Sequence, residues 1–206
     1  MKIRFNSLII IQTSLFIAFP FFVLADTNVK VETLSGASAP MLANNCAGCH
    51  GSFGASRGPS IPILSGLSAA YLVNMMGGFK SDVIPSTIMG RIAKGYSSEE
   101  IEKLAQYFAD QKFVAAKGQA SDPIKARKGA DLHKKYCEKC HTENGAVGGD
   151  DSGYLQGQWK PYLAAQFKSF IKGQRKAPRK MKKRIKRLLR KEGAAGVEAL
   201  LEFYSQ

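Results

Sequence analysis

Cys46-Ala47-Gly48-Cys49-His50 recurs further along the chain as Cys137-Glu138-Lys139-Cys140-His141, and the two copies hold all 4 cysteines of the 206-residue sequence. Two thiols one helical turn apart can both reach the vinyl groups of one porphyrin while the next residue, a histidine, points at its iron. The pattern predicts two covalently attached c-type haems, one on Cys46 and Cys49 and one on Cys137 and Cys140, with His50 and His141 as proximal iron ligands. Paired Cys-x-x-Cys motifs also bind zinc, but a histidine directly after both copies disfavours that reading.

A six-coordinate electron-transfer haem needs a second axial ligand, and methionine is the usual one in cytochromes c. The candidates are Met41, Met75, Met76, Met89 and Met181. Met181 is the only methionine of the second half, and its spacing from His141 matches that of Met89 from His50 to within one residue. Met89 and Met181 are therefore the expected distal ligands. Met75 and Met76 lie within an expected helix, residues 68–77, and suit core filling. His133, one helical turn before Cys137, reads as a solvated or hydrogen-bonded surface residue.

Sliding the sequence against itself by the spacing of the two motifs also aligns Leu64 with Leu155, Gly66 with Gly157, Tyr71 with Tyr162, Leu72 with Leu163 and Phe79 with Phe170. After an insertion in the second copy, Leu104, Tyr107 and Phe108 match Leu200, Phe203 and Tyr204. The chain is an internal duplication. Each half reads as a helix bearing the haem motif, a glycine-rich loop, a middle helix, a methionine segment and a terminal helix. Pro40 and Pro123 stand where a first helical turn tolerates proline, and Ser97 with Glu100 forms a capping box before a face of Ile101, Leu104, Ala105 and Phe108. No segment reads as a sheet. A proximal histidine orients its ring through a backbone carbonyl; Pro59 or Pro62 could supply one to His50, and the second half has no proline there.

The first four residues carry two cations, and residues 8–24 are almost wholly apolar before Ala25-Asp26. This is the pattern of a cleavable signal peptide, residues 1–25, and it implies export to the periplasm. No later stretch could span a bilayer. The expected domains are residues 26–116 and 117–206.

Several stretches resemble one family closely. They are Gly78-Phe79-Lys80-Ser81, Ser86-Thr87-Ile88-Met89-Gly90-Arg91, Lys135-Tyr136-Cys137-Glu138-Lys139-Cys140-His141 and Gly157-Gln158-Trp159. Together they look like the dihaem cytochrome subunit of flavocytochrome c sulfide dehydrogenase, a cytochrome c4-like protein. The resemblance implies an all-α fold of two tandem class I cytochrome c-like domains, each wrapped around one haem. It implies a heterodimer with an FAD-containing flavoprotein subunit that oxidises sulfide, while this chain accepts the electrons, performs no catalysis on its own and passes them to a soluble acceptor such as a small cytochrome c. Met89 and Met181 match the family's distal ligands, although Arg179-Lys180-Met181-Lys182-Lys183 departs from the family pattern. A freestanding cytochrome c4-type carrier to a terminal oxidase is the alternative. A dihaem peroxidase or a thiosulfate-processing cytochrome would need an open or unusual axial position at one iron, against which a methionine in each half argues.

The formal charge of +14 is unevenly placed. Residues 26–116 balance 7 cations against 7 acids, whereas residues 117–206 carry 21 against 9. Residues 168–191 hold 13 cations and no acid, with Met181 among them. Such a stretch steers an acidic redox partner, is simply a solvated helix face with Ile185, Leu188 and Leu189 inward, or meets anionic lipid. Nucleic acid is not an expected target for an exported haem protein.

Overall fold

The protein is seen in a computed structural model that describes residues 36–206, which fall in one compact unit. The expected signal peptide and the first residues of the expected mature chain lie outside the described residues.

Among the described residues seven α-helices carry the fold: α1 Ala39–His50, α2 Ala69–Lys80, α3 Met89–Ala93, α4 Ser98–Ala109, α5 Pro123–Tyr136, α6 Lys160–Ile171 and α7 Arg179–Tyr204. Among the described residues there is no strand, only an isolated bridge between Gly149 and Ser152. The all-α expectation holds.

Local chemistry sets the boundaries. The Ser97–Glu100 capping box closes in both directions, Ser97 N–H to the Glu100 carboxylate at 2.7 Å and Glu100 N–H to Ser97 Oγ at 3.1 Å. Asp122 caps α5 by accepting from the amides of Ile124 and Lys125, with Pro123 filling the first turn. The middle helix begins where Ser68 Oγ accepts from Tyr71 N–H, and it runs to Lys80 rather than stopping at residue 77. Ile84 packs so closely on Gly78 that only glycine fits there, and its amide turns back onto the Gly78 carbonyl.

Each half has its own core. In the first, Leu42 and Ala43 of α1 pack with Leu104, Ala105 and Phe108 of α4 and Leu72 of α2. In the second, Leu132 and Tyr136 of α5 pack with Leu188, Leu200, Phe203 and Tyr204 of α7 and Leu163 of α6. The α5–α7 crossing is tight: a Cβ on Gly129 would stand 2.1 Å from the Ala199 carbonyl oxygen.

The duplication extends to backbone hydrogen bonds. Leu64 and Ser65 N–H donate to the Gly54 carbonyl, as Leu155 and Gln156 donate to Gly145. Gly66 N–H reaches the Phe108 carbonyl at 2.9 Å, as Gly157 N–H reaches Tyr204 at 2.9 Å. Phe53 and Asn144, matched positions inside the two short turns, both adopt left-handed φ, 59° and 60°.

The halves differ at their ends. Helix α7 is one 26-residue element broken only at Gly193, whose φ of 63° is open to glycine. The methionine segment and the terminal helix expected as separate pieces are thus nearly fused in the second half, where α3 and α4 are distinct in the first.

The halves are joined by polar contacts between segments remote in sequence. Gln158 spans the join with its amide, accepting from Ile63 N–H at 3.0 Å and donating to the Ile63 carbonyl at 3.2 Å, both buried. Trp159 Nε1–H donates to the Ser56 carbonyl at 3.1 Å, with its indole against Gly58. Tyr154 donates its hydroxyl to the Gly66 carbonyl at 2.8 Å and stacks on Phe113.

Candidate functional site

In the first half the Cys-x-x-Cys-His residues occupy the last turn of α1, which ends at Gly51 because a side chain there would strike the Ala55 carbonyl. Cys46 is half-buried and Cys49 exposed. Burial, with Cys49 adding, pushes the Cys46 thiol up from its ordinary value. His50 is buried, which lowers its pKa, while its Nδ1 meets the Pro62 carbonyl at 2.9 Å. A ring nitrogen facing a carbonyl must carry the proton, so Nε2 keeps a lone pair. That is the tautomer an iron ligand needs. Of the two prolines expected to supply the carbonyl, Pro62 does so.

The second motif departs from the helical placement expected for it. Helix α5 ends at Tyr136, and the Cys137–His141 stretch lies in turns. The His133 carbonyl accepts from both Cys137 and Glu138 amides, at 2.7 and 2.9 Å, which unwinds the helix there. Two further bonds, Cys140 N–H and His141 N–H to the Cys137 carbonyl, each 3.0 Å, keep the turn tight enough to present both thiols. Cys137 is half-buried and Cys140 exposed, as in the first half. Burial lowers the pKa of His141, with nearby His133 adding to the effect. Its Nδ1 is buried and has no hydrogen-bond partner among the described residues. The two proximal-histidine candidates therefore have different surroundings.

Met89 is the first residue of α3 and Met181 lies in the first turn of α7, so the matched methionines both stand at helix starts, half-buried. Met41 is 63% exposed, which suits neither core nor ligand. Met75 and Met76 are half-buried rather than core, and Met75 Sδ accepts from Arg175 Nη2 at 3.1 Å across the join.

Sequence reasoning placed His133 at the surface, and the structure corrects this: it is fully buried. Its Nε2 meets the Glu138 carboxylate at 2.5 Å and its Nδ1 meets the Tyr204 hydroxyl at 2.8 Å. Glu138 also accepts from Asn144 N–H at 3.3 Å. The chain Glu138–His133–Tyr204 thus ties α5, the attachment turn and the end of α7 together. Arg184 of α7 faces the same turn, donating to the Lys135 carbonyl at 3.4 Å. Among the described residues no three His, Cys, Asp or Glu side chains gather as a metal cluster, so the two cysteine pairs are not brought together as a zinc site would require.

Comparison with known proteins gives the family. Residues 125–190 match the family model for cytochrome c oxidase, cbb3-type, subunit III. Over 80 residues, 39% of this chain and 72% of the relative, the chain is 40% identical to the cytochrome subunit of sulfide dehydrogenase from Chlorobaculum tepidum. The chain belongs to that family of c-type cytochromes. This cytochrome is also 37% identical over 68 residues to the thiosulfate dehydrogenase electron acceptor of Stutzerimonas stutzeri, covering 32% of each. Its fold is similar to that of cytochrome c4 from Pseudomonas stutzeri, with a TM-score of 0.67 and 26% identity over 81% of this chain and 95% of the other. It is an electron-transfer cytochrome of two tandem class I domains, and its family implies covalent haem c. The donor set fits that group: paired thiols, each pair with one half-buried and one exposed member, and in His50 a ring already held in the ligating tautomer. When bound, the haem supplies a one-electron iron couple; the chain's residues hold it and set its surroundings.

Proposed function

We propose that this cytochrome carries two haems and serves as the electron-transfer subunit of a sulfide-oxidising complex. It takes electrons from an FAD-containing flavoprotein subunit and passes them to a soluble periplasmic acceptor. Cys46 and Cys49 hold one haem and Cys137 and Cys140 the other; His50 and Met89, and His141 and Met181, are the axial ligands. The domains divide near residues 116 and 117, after a cleaved leader of residues 1–25. Among the described residues no helix is long and apolar enough to cross a membrane.

The observation that carries this reading is the doubled motif with a matched methionine in each half, in a chain of which 80 residues are 40% identical to a sulfide dehydrogenase cytochrome subunit. The test is affinity purification of the tagged protein from its native periplasm, with flavin absorbance and sulfide-dependent haem reduction measured on the eluate. Co-purifying flavin and rapid reduction are expected. A lone dihaem protein that sulfide leaves oxidised favours the second reading, a freestanding cytochrome c4-type carrier, which the 95% coverage of cytochrome c4 supports.

A further inference from the structure

The cations of residues 168–191 sit where local electrostatics opposes them. The first turn of α7 carries Arg179, Lys180 and Lys182, no acid, and a capping residue, Pro178, that makes no side-chain bond. Cations at a helix N-terminus face the positive end of its dipole. Along the same helix Lys182 and Lys186, Lys183 and Arg187, and Lys186 and Arg190 are like-charged neighbours one turn apart, an arrangement that destabilises a helix. None of these side chains makes an ion pair among the described residues, whereas Lys94, Lys103, Lys125, Lys135 and Lys160 elsewhere all do. A merely solvated face would not need this concentration.

The surface also has shape. Between the end of α6, the turn of residues 172–178 and the first half of α7 lies a cleft of about 410 Å³. Phe170, Ile185 and Leu189 line it, and Lys176, Lys182 and Lys186 line it with charge. Arg175 is drawn into the wall by Gln166 Oε1 at 2.5 Å and by the Phe170 ring at 4.7 Å. One helical face away, Arg184 donates to the Lys135 carbonyl at 3.4 Å, two residues before the Cys137–His141 turn.

We infer that this face is the docking surface for an acidic protein electron acceptor, whose carboxylates meet the lysine rim and one of whose apolar side chains enters the cleft. The occupant is argued from charge complementarity: twelve net positive charges lie in residues 117–206 and none in residues 26–116. An acidic partner relieves the repulsion along α7 and brings the acceptor beside the Cys137–His141 turn. The inference rests on the electron-transfer reading above and adds the direction of exit, through the second half.

The test uses the full holo-protein reduced by ascorbate, so no outcome depends on the natural donor. Oxidation by plastocyanin, an acidic copper protein, is followed by stopped flow, and carbodiimide cross-linking reads the complex itself. Lys176→Glu with Lys186→Glu is compared with Lys112→Glu with Lys117→Glu, an equal charge change on exposed residues outside the patch. At low salt the patch pair is expected to slow the reaction by about tenfold or more and to lose the cross-link, while the control pair stays within about twofold. The difference should vanish at high salt with haem potentials unchanged. Equal slowing by both pairs, or none by either, overturns the inference. So does loss of sedimentation with phosphatidylglycerol vesicles in the patch pair while its plastocyanin rate is intact, which assigns the face to lipid.

Discussion

His133 and Tyr204 occupy, under the chain's own repeat, the places that Leu42 and Phe108 hold in the first half. One copy of the duplication therefore closes its helix crossing with an apolar pair and the other with a hydrogen-bonded one. The substitution is concerted, because either polar residue alone would bury an unpaired group: with leucine at position 133 the Tyr204 hydroxyl is stranded, and with phenylalanine at 204 the imidazole Nδ1 is. Replacing His133 by Leu should cost about 2 kcal/mol, and Tyr204 by Phe about 1–2 kcal/mol, in urea unfolding. The double variant should recover most of that, giving a coupling of about 1 kcal/mol or more in the cycle; additive losses would mean the pair does not act as a unit. The two histidines proposed as proximal ligands differ at the same scale. A carbonyl on Nδ1–H makes an imidazole a stronger donor to ferric iron and lowers the potential, and His50 has such a bond where His141 has none. Spectroelectrochemistry should resolve two one-electron steps, the upper belonging to the second half. Met181→His, which under the proposed ligation substitutes the lower-potential bis-histidine pair, should move the upper step down and leave the lower one in place; movement of the lower step alone would reverse the order.

Helices α5, α6 and α7 of the second half meet at one carboxylate. Glu202 of α7 accepts from the Asp122 amide at the start of α5 at 3.0 Å and from Lys160 Nζ at the start of α6 at 3.0 and 3.1 Å, and Ser121 Oγ donates to its backbone carbonyl. Burial raises its pKa, but the Asp122 amide and Lys160 outweigh that and hold it below the ordinary carboxylate value. A depressed carboxylate stabilises the fold above its unfolded pKa of about 4.3, and that stability drains as pH falls through the lower folded value. Thermal unfolding from pH 7 to pH 3 should therefore show the native protein's advantage over Glu202→Gln shrinking below about pH 4. An advantage that persists unchanged at pH 3 would mean the carboxylate's charge is not what joins these helix ends. Most elements were legible because their signals are local: Ser97 and Glu100 stand three residues apart, Asp122 precedes Pro123, and Ile101, Leu104, Ala105 and Phe108 share a period. The fused α7 was not, since a single φ at Gly193 decides whether two segments read as one helix. Nor was the unwinding of the second motif, where Glu138 is committed to His133 and Asn144 rather than to a further helical turn.

At the scale of the whole molecule, two similar domains could behave as beads on a string, and what prevents it has no periodic signature in the sequence. Gln158 and Ile63 are 95 residues apart, Trp159 and Ser56 are 103 apart, and Tyr154 and Gly66 are 88 apart. These contacts come from the loops that follow the two haem motifs, so the join lies beside the segments expected to cover the cofactors. Gln158 is central because its amide satisfies both backbone groups of buried Ile63, and it is itself only 2% exposed. Replacing it by Leu keeps the volume but strands the Ile63 N–H and C=O, at about 1–3 kcal/mol for each buried group left unpaired. That loss falls on the coupling between domains rather than on either core, both of which are built from other residues. Calorimetry of the holo-protein should accordingly show one transition for the native chain and two for Gln158→Leu, while Leu104→Ala, a cavity in the first core, should lower the single transition without splitting it. If Gln158→Leu unfolds in one step at a lower temperature, the join depends on the Trp159 and Tyr154 contacts more than on this amide. A Trp159→Phe, Gln158→Leu double variant would then be the one to split.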